Sequence, residues 1–404
     1  MKTVKVIPPM GIQQTSIYIT EVGDLKRLYD VKSQRQKEII SGAGTHKNSL
    51  RAQELSNFEA LERIANSINC RDVIVGTLSD MKDKAVKLSS FPKIDSRESG
   101  EIFKMDTIYS WVEVYDLLND CKKLIPQNYI YLYSDNEFKG DLTVAPISTG
   151  AALHDDYLSA IINGIYEVFE RDSISLTWLL KDINSEITDL YDSSQKVFDN
   201  SFLGQVRYYD VSKIDGVYTI CAHAKSNFSS KCKNVLMFCT STNLYEIRNK
   251  LNKELISVMF SFYSSKKDYT QNTDYTKFTD VDESGFYMAR DFNDKHFYFF
   301  DLVSHKSKIE DFKKHKFMSK TEELNYLLKI IKSNHWSIYV ADISSREVLE
   351  ANTRAVKVVI PELMPISFIY GRKYLGTNRF VRLAKELYGK DYHRKVNDSP
   401  LAFS

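Results

Sequence analysis

Long apolar stretches are missing from this chain. Nowhere do roughly 18 apolar residues follow one another, the length a membrane-crossing helix needs. The start, MKTVKVIPPMGIQQT, is broken by two prolines and lacks the apolar core of a secretory signal. Cysteine is sparse: five residues (Cys70, Cys121, Cys221, Cys232, Cys239), scattered and without a CxxC pair. Reduced thiols in a cytosolic protein are the simplest account, so a cytoplasmic location is expected. The eight histidines include no HExxH and none at zinc spacing with cysteine, which argues against a structural zinc. An excess of one charge is also missing: 55 Lys and Arg against 53 Asp and Glu leave a net charge of +2. That removes the electrostatic signature of a bulk nucleic-acid binder. No GxGxxG, no complete Walker loop and no GxSxG elbow is present. Glycine (15) and proline (8) are few, so turns are thinly marked.

What remains is a globular composition, 43% apolar and 27% charged over 404 residues. The 25 tyrosines and 22 phenylalanines are expected mainly to fill cores. Residues 1–47 read as mixed, with a strand or extended start and a short polar stretch from Lys32 to Lys37. Residues 48–68 read as a helix, with Leu55, Phe58, Leu61, Ile64 and Ile68 on one stripe. Trp111–Leu124 reads as helix or strand–helix, and Tyr129–Tyr133 as a strand. After the small, turn-like stretch 144–154, Asp155 or Asp156 offers a cap to a long helix ending near Leu180. Strands are expected at 217–224, 235–239, 296–303, 337–343 and 355–360. Helices are expected at 244–263 (capped by Asn243), 319–333 and 380–388. Strands and helices interleave without a regular βαβ period, which predicts an α+β or mixed α/β fold. With no linker and no repeat, residues 1–404 read as a single domain without a fused leader-binding or E1-like region.

One pattern occurs twice. The first helix carries Ser56-x-x-Glu59-x-x-Glu62-Arg63, and the second Asn163-x-x-x-Glu167-x-x-Glu170-Arg171. Residues three apart share a helix face, so each pair sets like charges against each other. An arginine relieves part of the repulsion, and duplication suggests that something cationic relieves the rest. Hard cations such as Mg2+ take carboxylate oxygens and keep water or phosphate as further ligands. Two such helices facing each other would hold Mg2+ carrying a nucleotide triphosphate. The alternative is two amphipathic helices whose polar faces both read ExxER. Gly42-Ala43-Gly44-Thr45-His46-Lys47 faintly resembles a phosphate loop, and Ser148-Thr149-Gly150 would serve as an anion-binding turn or a plain tight turn. Lys250 and Glu254 form either a surface pair or a third set of site residues.

SxxExxER at 56–63, STGAALH at 148–154 and AxxNGxxExxERD at 160–172 together resemble the YcaO family. Trp111, the stretch 210–217 and Val358-Val359-Ile360-Pro361-Glu362-Leu363-Met364-Pro365 fit the same resemblance. It implies a multi-lobed fold around a central ATP and Mg2+ site. The implied reaction is ATP-dependent activation of backbone amides in a ribosomally made precursor peptide, cyclodehydrating Cys, Ser or Thr to thiazolines or oxazolines. Thioamidation with sulfide and a TfuA-like partner, or a non-catalytic ATP-binding scaffold, are the alternatives. By resemblance Glu59, Glu62, Glu167 and Glu170 are the Mg2+ ligands. Ser56, Asn163, Arg63 and Arg171 join them around the nucleotide. Glu167, Glu254, Lys250 and the terminal residue Ser404 are the catalytic candidates. Lys250 stands where the family usually has Arg, Ser257 where Gln is common, and Ala43 where many relatives have Lys. The tail lacks the family's PxPxP pattern; Pro400 and Phe403 alone suggest it. Expected partners are the precursor peptide and a separate leader-binding protein, E1-like (ocin-ThiF-like) or TfuA-like. No nucleic-acid or membrane partner is expected, and a homodimer fits the family.

Overall fold

The computed structural model describes residues 1–7, 15–24, 39–67, 69, 71–94, 103–134, 137–143, 146–190, 204–227 and 229–403. Three antiparallel strands open the chain: β1 (Lys2–Val6), β2 (Ser16–Asp24) and β3 (Ile39–His46), side by side in that order. Helix α1 (Ser49–Ser67) lies across β3 and β2. It lies close because β3 has two glycines facing it. A Cβ on Gly44 would stand 1.9 Å from the Ala52 carbonyl oxygen, and one on Gly42 2.3 Å from the Ala60 nitrogen. Both obstacles are helix backbone, which cannot swing aside. Gly44→Ala is therefore expected to destabilise at the upper end of the roughly 1–3 kcal/mol typical of overpacking, read as a lower urea midpoint.

Next come β4 (Ile74–Thr77), the hairpin β5 (Ile108–Asp116) and β6 (Cys121–Pro126), and β7 (Ala151–His154). Helix α2 (Tyr157–Leu180) starts at Asp156, whose side chain accepts the Ser159 N–H. Then follow β8 (Ser185–Ile187), β9 (Gln205–Asp210), β10 (Tyr218–Lys225), β11 (Asn234–Ser241) and α3 (Leu244–Ser264), capped by Asn243. The chain continues through β12 (Lys306–Ser307), α4 (Lys320–Ser333), β13 (Tyr339–Asp342), β14 (Arg354–Val359) and α5 (Asn378–Tyr388). One sheet has the order β11-β10-β9-β8-β12; another runs β4-β5-β13-β14-β7, with β6 also on β5. Helices pack on three sheets, as the mixed α+β expectation required.

Three expected elements differ. Trp111–Leu124 is no helix but the β5–β6 hairpin, turned where Asp116 accepts the Leu118 and Asn119 N–H groups. Tyr129–Tyr133 is no strand: Leu132 and Tyr133 donate to the carbonyls of Asn66 and Ser67, docking this stretch on the end of α1. Residues 291–301 form helical turns instead of a strand. Phe297 and Phe300 are buried while Tyr298 and Leu302 are exposed, a spacing of three where a strand would show two.

Helix α2 is the centre of the molecule. It packs against β14 and β7 and also against β11. Residues 172–180 are all buried. Within them Asp172 is 0% exposed and receives the Arg379 guanidinium of α5 at 2.6–2.9 Å, plus the Met364 N–H at 2.9 Å. The last letter of the second motif is thus a structural anchor.

Candidate nucleotide and magnesium site

One glutamate from each ExxE pair reaches the backbone of β7 and the turn before it. On α2, Glu167 accepts the Gly150 N–H at 3.1 Å, and on α1, Glu62 accepts the Leu153 N–H at 3.0 Å. One short piece of backbone is thereby gripped by a carboxylate from each helix. Gly150 closes the turn before β7 at φ +87, a conformation that favours glycine, and the Val358 carbonyl oxygen would lie 2.1 Å from any Cβ there. The Ser148–Gly150 stretch is therefore a tight turn that gives an N–H to Glu167. Glu59 is held by the Ala43 N–H at 2.9 Å and by Arg63 at 2.6 Å, and Arg63 also donates to the Ser41 carbonyl. Residues 42–46 belong to β3, not to a phosphate loop.

The second half of the site lies between α2 and α3. Arg171 stands 3.4 Å from Glu167 and 3.8 Å from Glu170, and Lys250 stands 3.7 Å from Glu254. Nη1 of Arg171 is buried and makes no hydrogen bond. Its guanidinium also lies over the Phe403 ring at 4.9 Å, so the tail reaches this half of the site without a PxPxP pattern. Ser404 lies outside the described residues. The Lys250 side chain is 64% exposed.

These acids act on one another. Burial pushes the Glu62 carboxyl up to about 8, reinforced by Glu167 and Glu59. Burial likewise pushes Glu170 up to about 7 against the pull of Arg171 and Lys250, and it raises Glu254. Glu254 in turn holds Lys250 well above the ordinary lysine range. Among the described residues no three His, Cys, Asp or Glu side chains form a ready-made metal cage. The spacing suits a cation that brings its own phosphate oxygens, since Mg2+ commonly takes only one or two protein carboxylates beside them. Crowded carboxylates with raised affinity for protons and a guanidinium nitrogen without a hydrogen bond both fit Mg2+ with a polyphosphate.

Not every candidate falls here in the expected way. Ser56 is 0% exposed, with its hydroxyl shared with Thr20 at 2.8 Å and donated to the Gln53 carbonyl at 2.8 Å. It joins α1 to β2, so the expected nucleotide-facing role is not supported. Asn163 is exposed on α2, one turn before Glu167. Sequence reasoning missed the Ala43 N–H, which needs no particular side chain. It also missed Lys357, whose position in a β-branched run resembles that of an ordinary strand residue.

A family model described as YcaO cyclodehydratase, ATP- and Mg2+-binding, matches residues 43–364. The chain belongs to the YcaO family. ATP and Mg2+ are therefore the cofactors of this YcaO fold, as the motifs implied. Solved structures share the fold. A heterocyclase in complex with substrate and cofactor superposes with TM-score 0.69 at 14% identity, covering 90% of this YcaO chain and 50% of that one. The chain thus spans about half the length of that heterocyclase. YcaO from Methanopyrus kandleri, bound with AMPPCP and Mg2+, gives 0.65 at 14% identity over 90% of this chain and 86% of that one. The E. coli microcin synthetase McbBCD complex with pro-MccB17 bound gives 0.66 at 16% identity over 100% and 96%. No curated protein sequence matches.

A pH dependence follows from the raised carboxyls. In the reading that these carboxyls hold Mg2+, loading needs them ionised, so binding the metal expels their protons. Affinity for Mg2+ with a non-hydrolysable ATP analogue should rise from pH 6 through pH 8 and level off only about a unit higher, the range set by Glu170 and Glu62. Calorimetry in buffers of different ionisation enthalpy should show proton release at pH 7, reduced in Glu62→Gln.

Proposed function

We propose that this YcaO protein uses Mg2+-bound ATP to activate backbone amides of a ribosomally made peptide, cyclodehydrating Cys, Ser or Thr to azoline rings. The observation that carries the reading is the convergence of one glutamate from each ExxE pair, Glu62 and Glu167, on residues 150–153, with Arg171 beside Glu167 and Glu170. In this reading Glu59, Glu62, Glu167 and Glu170 hold Mg2+. When bound, Mg2+·ATP supplies the phosphoryl group that turns the amide oxygen into a leaving group. Arg171 and Lys250 place positive charge where phosphate charge is to be neutralised, and such positioning and electrostatics carry most of phosphoryl-transfer catalysis. The Gly150 and Ala43 N–H groups fix Glu167 and Glu59 in advance. Glu254, raised by burial and tied to Lys250, is the proton-handling candidate of the set.

The peptide is presented by a separate leader-binding partner, in line with the complexes that share this fold. The test combines the chain with its precursor peptide, partner, ATP and Mg2+. Loss of one water per ring with phosphate release supports the reading. A mass gain that needs sulfide would move it to thioamidation. Full processing by the chain without a partner would contradict the partner assignment.

A further inference from the structure

Lys357 of β14 is 1% exposed, the most deeply buried lysine among the described residues. Its ammonium donates to the Ile147 carbonyl at 2.6 Å. No carboxylate stands within ion-pair distance of it among the described residues, and the acids that act on it are Glu167 and Glu62. An amine so deeply buried is retained against a large desolvation penalty. Burial pulls it down to about 7, opposed by those two glutamates.

Its bond falls on the turn that serves the acidic site. Ile147 starts the turn, Ala151 N–H donates back to the Ser148 carbonyl at 2.9 Å, and Val358 N–H donates to the Gly150 carbonyl at 2.8 Å. Lys357 pairs with Ala151 in the β14–β7 ladder. Gly150 also presents its N–H, from the preceding peptide, to Glu167. The turn is thus tied down at Ile147 by the lysine and at Gly150 by β14.

We propose that Lys357 is a positioning residue: its ammonium pins the 147–150 turn from behind, so that the Gly150 N–H holds Glu167. The inference rests on the Mg2+·nucleotide reading of the site. Removing groups that orient metal ligands weakens metal binding by roughly 10- to 100-fold, and a loss in that range is expected here.

The test uses Lys357→Met in the full chain, with two readouts. Amide hydrogen exchange over residues 147–151 should accelerate, which reports the pin without any nucleotide. Mg2+-dependent binding of a non-hydrolysable ATP analogue should weaken as stated, while Lys357→Arg recovers part of it. In a Glu167→Gln background the same lysine substitution should add little, because the two act through one group. If Lys357→Met does not fold, Lys357→Gln is read in the same way. Unchanged exchange overturns the pin. Faster exchange with unchanged binding, or full additivity with Glu167→Gln, overturns the positioning role. A wild-type chain that binds no Mg2+·nucleotide fails the functional reading, and with it the positioning role, even where exchange shows the turn to be pinned.

Discussion

Glu167→Gln is expected to lower ATP-dependent peptide modification by at least roughly 10²–10³-fold, the loss seen when one preorganised electrostatic group is removed from a site. Glutamine keeps the size and one oxygen, so the Gly150 N–H still finds an acceptor. What goes is the negative charge. Mg2+ loses a ligand in the proposed site, and Arg171 loses the nearer of its two anionic neighbours, at 3.4 against 3.8 Å. Thermal unfolding of the variant should stay close to wild type, because the side chain is only part-buried and remains hydrogen bonded. Phosphate release and peptide mass, measured together with the melting curve, decide the matter. Unchanged modification would point to a non-catalytic subunit.

Asp172→Asn should do the opposite: a large loss of stability with no direct part in chemistry. Its carboxylate is wholly buried and carries Arg379 and the Met364 N–H. Breaking a buried pair by removing one charge strands the other, typically at about 3–5 kcal/mol. Denaturant unfolding should show it as a lower midpoint. Replacing both partners by apolar residues should recover much of the loss. A variant as stable as wild type would refute the anchoring role.

Much of this was legible because helix signals are local. Asp156, Asn243 and Ser319 each cap the helix that periodicity suggests. The acidic pairs stood out because like charges three apart need a reason. The misread elements share a cause. In Tyr129–Tyr133 and 296–303, aromatic density imitated a strand, whereas tertiary contacts decided the outcome: one stretch docks on α1, the other buries every third ring. Ser56 resembled a site residue because it begins a site motif, yet its hydroxyl is used up between α1 and β2. Lys357 was illegible because its burial arises only when residues 147–151 fold onto β14, far away in sequence.

The central claim is that glutamates from α1 and α2 close together on a magnesium-bearing triphosphate. Calorimetric titration with a non-hydrolysable ATP analogue tests it most directly. The account predicts binding that requires Mg2+ and is weakened in both Glu62→Gln and Glu167→Gln, variants on different helices. Binding that ignores Mg2+, or that is unweakened by both substitutions, would contradict it.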